Sequence, residues 1–403
     1  MLGMQLQVYP APPVPRAFHL MAKPAGASCN LRCDYCFYLD KERFYAPRPR
    51  MSDEVLEEYI KGYIHSQDVD LISFAWQGGE PTLMGLDFFR RALAMQKRYA
   101  DGRRIENALQ TNGTLLDDEW CELLNRERFL VGISIDGPAA LHDRYRLDVG
   151  NQGSFARVMR GLELLKKHKV EFNTLTVIND LNASRPLEMY DFLKATGSTF
   201  WQFIPIVERL QVACGRRVIA PTSEDSAQAE DYPLAPWSVP AKLYGQFLCT
   251  IFDRWHQQDI GRIFIQQFES ALAPYMGRNP GACVYAKTCG QALIIEHNGD
   301  IYSCDHFVFP RHKLGNIMQT PLTEMVYSQQ QLRFGQAKLA ELSEDCLKCK
   351  WRNQCNGGCP KDRFVAEAGG TRRLNYLCPG LKTFYNHADA RLQKIVKVLQ
   401  EQG

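Results

Sequence analysis

Three cysteines, Cys29, Cys33 and Cys36, stand in the run CNLRCDYC, on a stretch that follows the first strand-like segment. Thiolates this close can ligate one compact metal centre. Three are one fewer than a closed tetrahedral zinc site or a fully ligated four-iron cluster takes. A centre with one unprotected metal atom is suited to chemistry at that atom. Tyr35 before the last cysteine and Phe37-Tyr38 after it suit a shielded, low-dielectric site. A zinc knuckle is the competing reading.

Two further groups could do chemistry. In Gly78-Gly79-Glu80-Pro81, the glycines let backbone approach a ligand and Glu80 supplies a carboxylate for a cationic amine; an ordinary strand-to-helix turn competes. Farther on come Cys283, Cys289, Cys304, Cys346, Cys349, Cys355, Cys359 and Cys378. Eight thiolates can saturate two four-iron clusters, or form two four-cysteine zinc sites. Asp305, directly after Cys304, is either a turn aspartate or a carboxylate held beside a buried centre, able to take a proton from a substrate side chain. Cys121, Cys214 and Cys249 stand alone and read as small buried apolar residues, and His306 and His312 as structural.

A formal charge of +3 over 403 residues gives no argument for nucleic acid or membrane as partner. Residues 1–14 carry polar groups and prolines where a secretion signal would have a basic start and an apolar centre. No apolar run approaches the roughly 18 residues of a membrane span. The expectation is a soluble cytosolic protein, where closely spaced cysteines bind metal more often than they pair; fourteen cysteines is a high count for the length.

Positioning these groups takes an alternating series of elements. The segment 17–21 reads as a first strand delivering the chain to the cysteine loop. After a basic, proline-containing linker at 43–50, Ser52 caps a helix with Asp53 and Glu54 in its first turn. Strands at 71–76, 106–110, 129–135, 171–177 and 200–206 then alternate with helices at 86–99, 117–125, from 154 onward, and 186–195. The helix at Ser154 carries Phe155, Val158, Met159, Leu162 and Leu165 on one face. Such units imply parallel strands with right-handed crossovers, in an open doubly wound sheet or a partial barrel. The motifs mostly fall just after strands, and sites built from several strand ends converge at the mouth of a barrel, so the partial barrel is the expectation. The polar stretch 207–238 reads as an inserted loop, and 239–257 and 261–276 as two bridging helices. The expected division is a barrel over 1–238, a helical bridge over 239–278, a cysteine-rich domain over 279–390 and a helix end over 391–403.

Taken together, the lead-in Met21-Ala-Lys-Pro24, CNLRCDYCFYL, WQGGEPTL, LQTNGT, VGISIDGP, WQFIPIVERL, EHNGDIYSCDHFVFP, the CxxC-x5-CxGGCP run from Cys346 and LNYLCPG resemble radical S-adenosylmethionine (SAM) enzymes with a SPASM extension. Within that group they are similar to the anaerobic sulfatase-maturating enzymes. The resemblance implies an α/β fold, a partial (β/α)6 TIM-type barrel followed by a SPASM domain. It implies SAM and three [4Fe–4S] clusters: a SAM-binding one on Cys29, Cys33 and Cys36, a first auxiliary one on Cys283, Cys289, Cys304 and Cys359, and a second on Cys346, Cys349, Cys355 and Cys378. Gly78, Gly79 and Glu80 would receive the SAM ammonium group, and Ser134 and Arg146 its carboxylate, with Arg144 an equal candidate; Tyr35 would line the cofactor site. The implied activity converts a cysteine or serine of an unfolded sulfatase segment, in a Cys/Ser-x-Pro/Ala-x-Arg motif, to Cα-formylglycine. The 5′-deoxyadenosyl radical would take hydrogen from Cβ, Asp305 the thiol or hydroxyl proton, and the first auxiliary cluster the electron. A flavodoxin- or ferredoxin-type reductant would feed the first cluster. Two other readings compete. One is a maturase of another ribosomal peptide, disfavoured because Cys29 leaves no room for a preceding leader-binding domain. The other is a non-catalytic zinc or iron–sulfur scaffold, disfavoured by the Gly78–Pro81 turn and the barrel.

Overall fold

Runs such as Leu71-Ile-Ser-Phe-Ala-Trp76 place β-branched and aromatic side chains at alternate positions. In the computed structural model of the chain this run is a strand with Ile72, Phe74 and Trp76 buried. The structure describes residues 17–45, 50–213, 216–219, 232–367, 369–370 and 372–402; Cys214 falls outside them. Six strands, β1 (His19–Lys23), β2 (Leu71–Trp76), β3 (Arg104–Thr111), β4 (Leu130–Ser134), β5 (Phe172–Ile178) and β6 (Phe200–Pro205), lie side by side in chain order and all parallel. The helices between them are α1 (Asp53–His65), α2 (Leu86–Tyr99), α3 (Asp118–Arg126), α4 (Ala139–His142), α5 (Phe155–Lys167) and α6 (Pro186–Ala195). A doubly wound sheet reverses its order at a switch point, whereas unbroken sequential order is the winding of a barrel. The fold is therefore the partial barrel, open at its edges.

Local chemistry sets the helix starts. The Ser52 hydroxyl accepts from Val55 N to cap α1, and the Asp117 carboxylate accepts from Trp120 N to cap α3. On α5, Val158, Leu162 and Leu165 are fully buried against the sheet, each worth roughly 1.5–3 kcal/mol of apolar burial. Edge-to-face contacts join Tyr59, Tyr63, Phe74, Trp76, Phe88, Phe89 and Trp120 into a continuous aromatic core under α1, α2 and α3.

Beyond β6 the structure corrects the sequence expectations. The stretch read as an inserted loop contains an antiparallel hairpin, β7 (Leu210–Ala213) with β8 (Arg216–Ile219). Its polar and proline-rich flanks hid a short two-stranded ribbon that is pinned by Asp40 accepting from Ile219 N at 2.6 Å. After α7 (Ala241–Gln258), the segment expected to be one helix begins with a short strand, β9 (Phe264–Ile265). There Phe264 N bonds to Thr199 O beside β6, and only then does α8 (Gln266–Leu272) start.

The sheet also extends at its other end, which the sequence expectations did not foresee. β10 (Ala292–Glu296) pairs in parallel with β1, from His19 opposite Ala292 to Lys23 opposite Glu296. β11 (Asp300–Tyr302) and β12 (Lys313–Asn316) follow antiparallel, so one ten-stranded sheet crosses from the barrel into the cysteine-rich region. That region continues through α9 (Leu322–Val326), α10 (Gln329–Ala340), α11 (Glu344–Leu347), α12 (Arg352–Cys355), the hairpin β13 (Arg363–Ala366) and β14 (Arg373–Asn375), and α13 (Cys378–Gln402).

α13 returns to pack along α7. The two helices approach at glycines: a Cβ on Gly380 would lie 2.0 Å from the Ala241 carbonyl oxygen, and one on Gly245 2.6 Å from the Gly380 oxygen. Gly380→Ala should therefore push the helices apart and destabilise the protein by about 1–3 kcal/mol. Thermal unfolding reads this as a lowered Tm; an unchanged Tm would contradict so close a crossing.

Candidate active site

The cysteine loop leaves β1 and is hung on two neighbours. Arg32 N and Asp34 N bond to the Leu147 and Tyr145 carbonyls beyond β4, at 2.7 and 3.0 Å. Gly26 O and Ser28 O accept from Gly79 N and Glu80 N, at 2.7 and 2.8 Å. Asn112 bridges the loop to the end of β3, donating to Asn30 Oδ1 at 2.9 Å. Burial pushes the Cys29 and Cys33 thiols up to about 12, and burial also raises Cys36. Cys36 and Cys33 raise Cys29 further, and Cys36 raises Cys33. Such thiols become good ligands only where a metal supplies positive charge.

The Gly78–Pro81 turn serves a purpose the sequence did not convey. A Cβ on Gly79 would sit 2.0 Å from Ser28 O, so its glycine is required by the cysteine loop packed on it. Glu80 is fully buried, and its carboxylate accepts from Thr82 N, Thr82 Oγ1 and Thr111 Oγ1 on one oxygen and from Asn112 N on the other. Burial raises its carboxyl above the usual range, against the pull of these donors. Glu80 thus has a structural task besides the ligand contact expected of it from the sequence. Its acceptor capacity clamps the turn to the end of β3, and the turn carries the cysteine loop.

Beyond β4, Arg146 is buried and donates to the Tyr35 hydroxyl at 2.9 Å; that hydroxyl in turn donates to Asp136. The Tyr35 ring packs edge-on against Tyr145. Tyr35 thus holds Arg146 in place through its hydroxyl. The Arg146 guanidinium acts on Cys33, and its Nε is buried with no hydrogen-bond partner among the described residues. A buried donor of this kind calls for an acceptor from outside the chain. Arg144, its equal in sequence, is mostly exposed and lies 3.8 Å from Asp34, so the structure separates the two. Ser134 is half-buried at the end of β4 and accepts from Gln110 Nε2 at 3.0 Å.

The later cysteines fall into two groups. Cys346, Cys349, Cys355 and Cys378 line one cavity, walled by Trp351, Leu381 and Tyr385. Burial pushes Cys355 up to about 12, and its three partners add to the shift. Cys304 is likewise raised by burial, then by Cys359 and Cys283, while Cys359 is raised by burial, Asp362 and Cys289. Among the described residues no three or more His, Cys, Asp or Glu side chains form a group that could hold a single metal ion. Four thiols ringing an apolar cavity suit a polynuclear cluster.

Asp305 emerges next to this second region yet reaches back to the barrel. Its Oδ1 lies 2.6 Å from Nζ of Lys23, the last residue of β1, which is 1% exposed. Lys23 also donates to Gln77 Oε1 at 3.1 Å and lies over the Tyr38 ring. The His306 ring packs at a tilt against Phe37, one residue past Cys36. Burial raises the Asp305 carboxyl, but the charge and hydrogen bond of Lys23 lead the groups that hold it below the usual range. The carboxylate, 21% exposed, thus stands ionised at the mouth of the barrel beside the cysteine loop.

Comparisons with known proteins agree with this arrangement. The family model of the Radical SAM superfamily matches residues 24–193, and that of the SPASM iron–sulfur cluster-binding domain matches residues 283–350. The chain is 47% identical to a serine-type anaerobic sulfatase-maturating enzyme of Bacteroides thetaiotaomicron, over 97% of this chain and 94% of that one. The chain belongs to the anaerobic sulfatase-maturating enzymes. A cysteine-type member from Clostridium perfringens is 35% identical, over 93% of this chain and 96% of that one. The solved structure of native anSMEcpe with bound AdoMet and Cp18Cys peptide superposes with a TM-score of 0.82 at 34% identity, covering 95% of this chain and 99% of that one. Membership of this radical SAM/SPASM family makes SAM and iron–sulfur clusters, auxiliary ones included, the cofactors. The thiol groups and the unsatisfied Arg146 Nε fit them. Among the described residues no helix is long and apolar enough to cross a membrane.

Sequence reasoning set Gln77, Asn112 and Asp136 in motifs at strand ends and Lys23 in the lead-in motif, but gave none of them a role. Lys23 carried a signal: an ionisable residue closing an otherwise apolar strand of a parallel barrel points to the site at its mouth. The close fit at Gly79 makes a test. Gly79→Ala should displace the cysteine loop, lowering 5′-deoxyadenosine formation from SAM at least tenfold. Bound iron should fall from about twelve to about eight atoms per chain, since the auxiliary clusters are untouched. Normal SAM cleavage in this variant would contradict the packing of the turn on the loop.

Proposed function

We propose that this enzyme oxidises a serine or cysteine side chain of an unfolded sulfatase segment to Cα-formylglycine. Cys29, Cys33 and Cys36 would hold the SAM-binding cluster, Cys283, Cys289, Cys304 and Cys359 the first auxiliary cluster, and Cys346, Cys349, Cys355 and Cys378 the second. The observation that carries this reading is the Lys23–Asp305 ion pair, which brings a carboxylate from the auxiliary region to the barrel mouth beside the first cysteine loop.

When bound, the cofactors supply the one-electron chemistry: hydrogen-atom abstraction from the target Cβ at the first site, and an acceptor for the substrate's electron at the auxiliary sites. The chain's residues do the rest. Arg146, held by Tyr35 and Asp136, offers its unsatisfied Nε to the SAM carboxylate, with Ser134 nearby on β4. Asp305, kept ionised by Lys23, takes the hydroxyl or thiol proton of the substrate as the carbon is oxidised. With serine the product is the aldehyde directly; with cysteine it is a thioaldehyde that water hydrolyses. Closer similarity to a serine-type than to a cysteine-type relative supports serine as a target. A Cys/Ser-x-Pro/Ala-x-Arg motif, a flavodoxin- or ferredoxin-type electron donor and a cytoplasmic setting complete the proposal, the last because buried unpaired thiols suit a reducing compartment.

Anaerobic reconstitution with SAM and short peptides carrying Ser or Cys in that motif tests the reading. Aldehyde should form on the peptide, measured by mass spectrometry. 5′-Deoxyadenosine without aldehyde on either peptide would exclude sulfatase maturation while leaving the radical chemistry. Asp305→Asn should keep SAM cleavage within about threefold and lower aldehyde formation by roughly 10²–10⁴-fold, the range of a lost general base. Full aldehyde yield would remove Asp305 from the reaction.

A further inference from the structure

The two auxiliary cysteine groups are joined by a single short turn. Cys355 belongs to one group and Cys359 to the other, and Asn356, Gly357 and Gly358 between them have φ of 46°, 72° and 63°. Three successive left-handed residues admit only Gly and Asn cheaply. One buried side chain gathers all three carbonyls of this turn. Arg363, 6% exposed at the start of β13, donates to Gly357 O at 3.0 Å, Asn356 O at 3.0 Å and Gly358 O at 3.4 Å, and its Nη1 donates to Lys338 O at 2.7 Å. Lys338 itself, 1% exposed on α10, donates Nζ to the carbonyls of Cys283 and Val284 at 2.8 and 2.9 Å.

Two cations are therefore buried behind the cysteines, bonded to neutral carbonyls. Among the described residues no carboxylate pairs with either. Burying unpaired charge is costly, so the counter-charge has to come from elsewhere. The groups within electrostatic reach to supply it are thiolates of both sets. Cys346, Cys359, Cys289 and Cys355 act on Arg363, which is bonded to the turn between Cys355 and Cys359. Cys289, Cys359 and Cys283 act on Lys338, which is bonded to the Cys283 carbonyl. A four-iron cluster on four thiolates is a net anion, and one more electron makes it more negative. A guanidinium that never loses its proton stabilises the reduced form most.

We propose that Arg363, backed by Lys338, is a fixed counter-charge shared by the two auxiliary clusters, raising the potential at which each accepts the substrate's electron. This rests on the cysteine assignment proposed above. The electron is the one the substrate gives up on oxidation, so no further reactant is needed.

The test is an iron count with a redox titration followed by electron paramagnetic resonance, on the reconstituted holoprotein. Arg363→Gln keeps donors but loses charge, Arg363→Lys keeps charge but loses the fork, and Lys338→Met removes the second cation. Arg363→Gln should keep about twelve irons and shift both auxiliary reduction equilibria at least tenfold toward the oxidised form, 59 mV for one electron. The SAM-binding cluster serves as an unmoved internal reference. Lys338→Met should shift the cluster on Cys283, Cys289, Cys304 and Cys359 more than the other, and Arg363→Lys should stay within about twofold of the parent. Full iron with unmoved midpoints in Arg363→Gln and Lys338→Met would overturn the proposal. If Arg363→Gln sheds iron because the turn is lost, Lys338→Met decides: a shifted midpoint supports the counter-charge and an unmoved one overturns it. Loss of auxiliary iron from both overturns it too, leaving a role in assembly only. A parent protein holding about four irons would instead overturn the cysteine assignment before any variant is made.

Discussion

The parallel pairing of β10 with β1 is the contact on which the site depends. A parallel neighbour runs in the same direction, so whatever follows β10 is delivered to the same end of the sheet as whatever follows β1. The cysteine loop follows β1. The β10–β11 turn follows β10; the short turn at Asp305–Phe307 comes after β11, which runs back antiparallel, and it is tied to the end of β1 through Lys23. The join is sealed by buried polar contacts, Lys23 to Asp305 and the Tyr38 hydroxyl to Glu296. Without that pairing the carboxylate proposed as base and the loop proposed to start the radical would belong to separate bodies, with no fixed geometry between them.

Buried polar groups divide into those that the chain satisfies and those that it leaves waiting. Glu80 takes four protein donors, and Lys361 bonds to Glu208 and to Val207 O. These groups clamp the fold. The thiols raised by burial and the Arg146 Nε have no such closure, and the cations Arg363 and Lys338 have hydrogen bonds but no carboxylate partner, among the described residues. They mark where a charged cofactor belongs, because leaving them unsatisfied costs free energy that a bound anion or metal centre returns.

Much of the barrel was legible along the chain. The helices expected at 86–99 and 186–195 and the strand at 71–76 are found with those bounds, because long periodic segments carry their own signal. The hairpin β7–β8, the two-residue β9 and the strands β10 to β12 were not read, since two- to five-residue strands are made by the neighbour they pair with. Glu80 shows the same limit for a side chain. A carboxylate after two glycines reads only as a ligand group, and its bonds to Thr82, Thr111 and Asn112 appear only in the fold.

What the sequence determined by itself is local: three cysteines within one loop, a Gly-Gly-Glu turn, a Cys-Asn-Gly-Gly-Cys turn able to go left-handed, and the order of strands and helices. Spacing of a few residues fixes distance through covalent geometry, so those groups had to lie together whatever the fold. The electrostatic closeness of Cys359 to Cys304 and Cys289, far from it along the chain, was a different matter. So were the burial of Arg146 and the exposure of Arg144, and the meeting of Lys23 with Asp305. Only the tertiary structure decided these, since contacts between distant segments depend on strand pairing and on which side chains the core can bury, and neither is written in any one stretch of the chain.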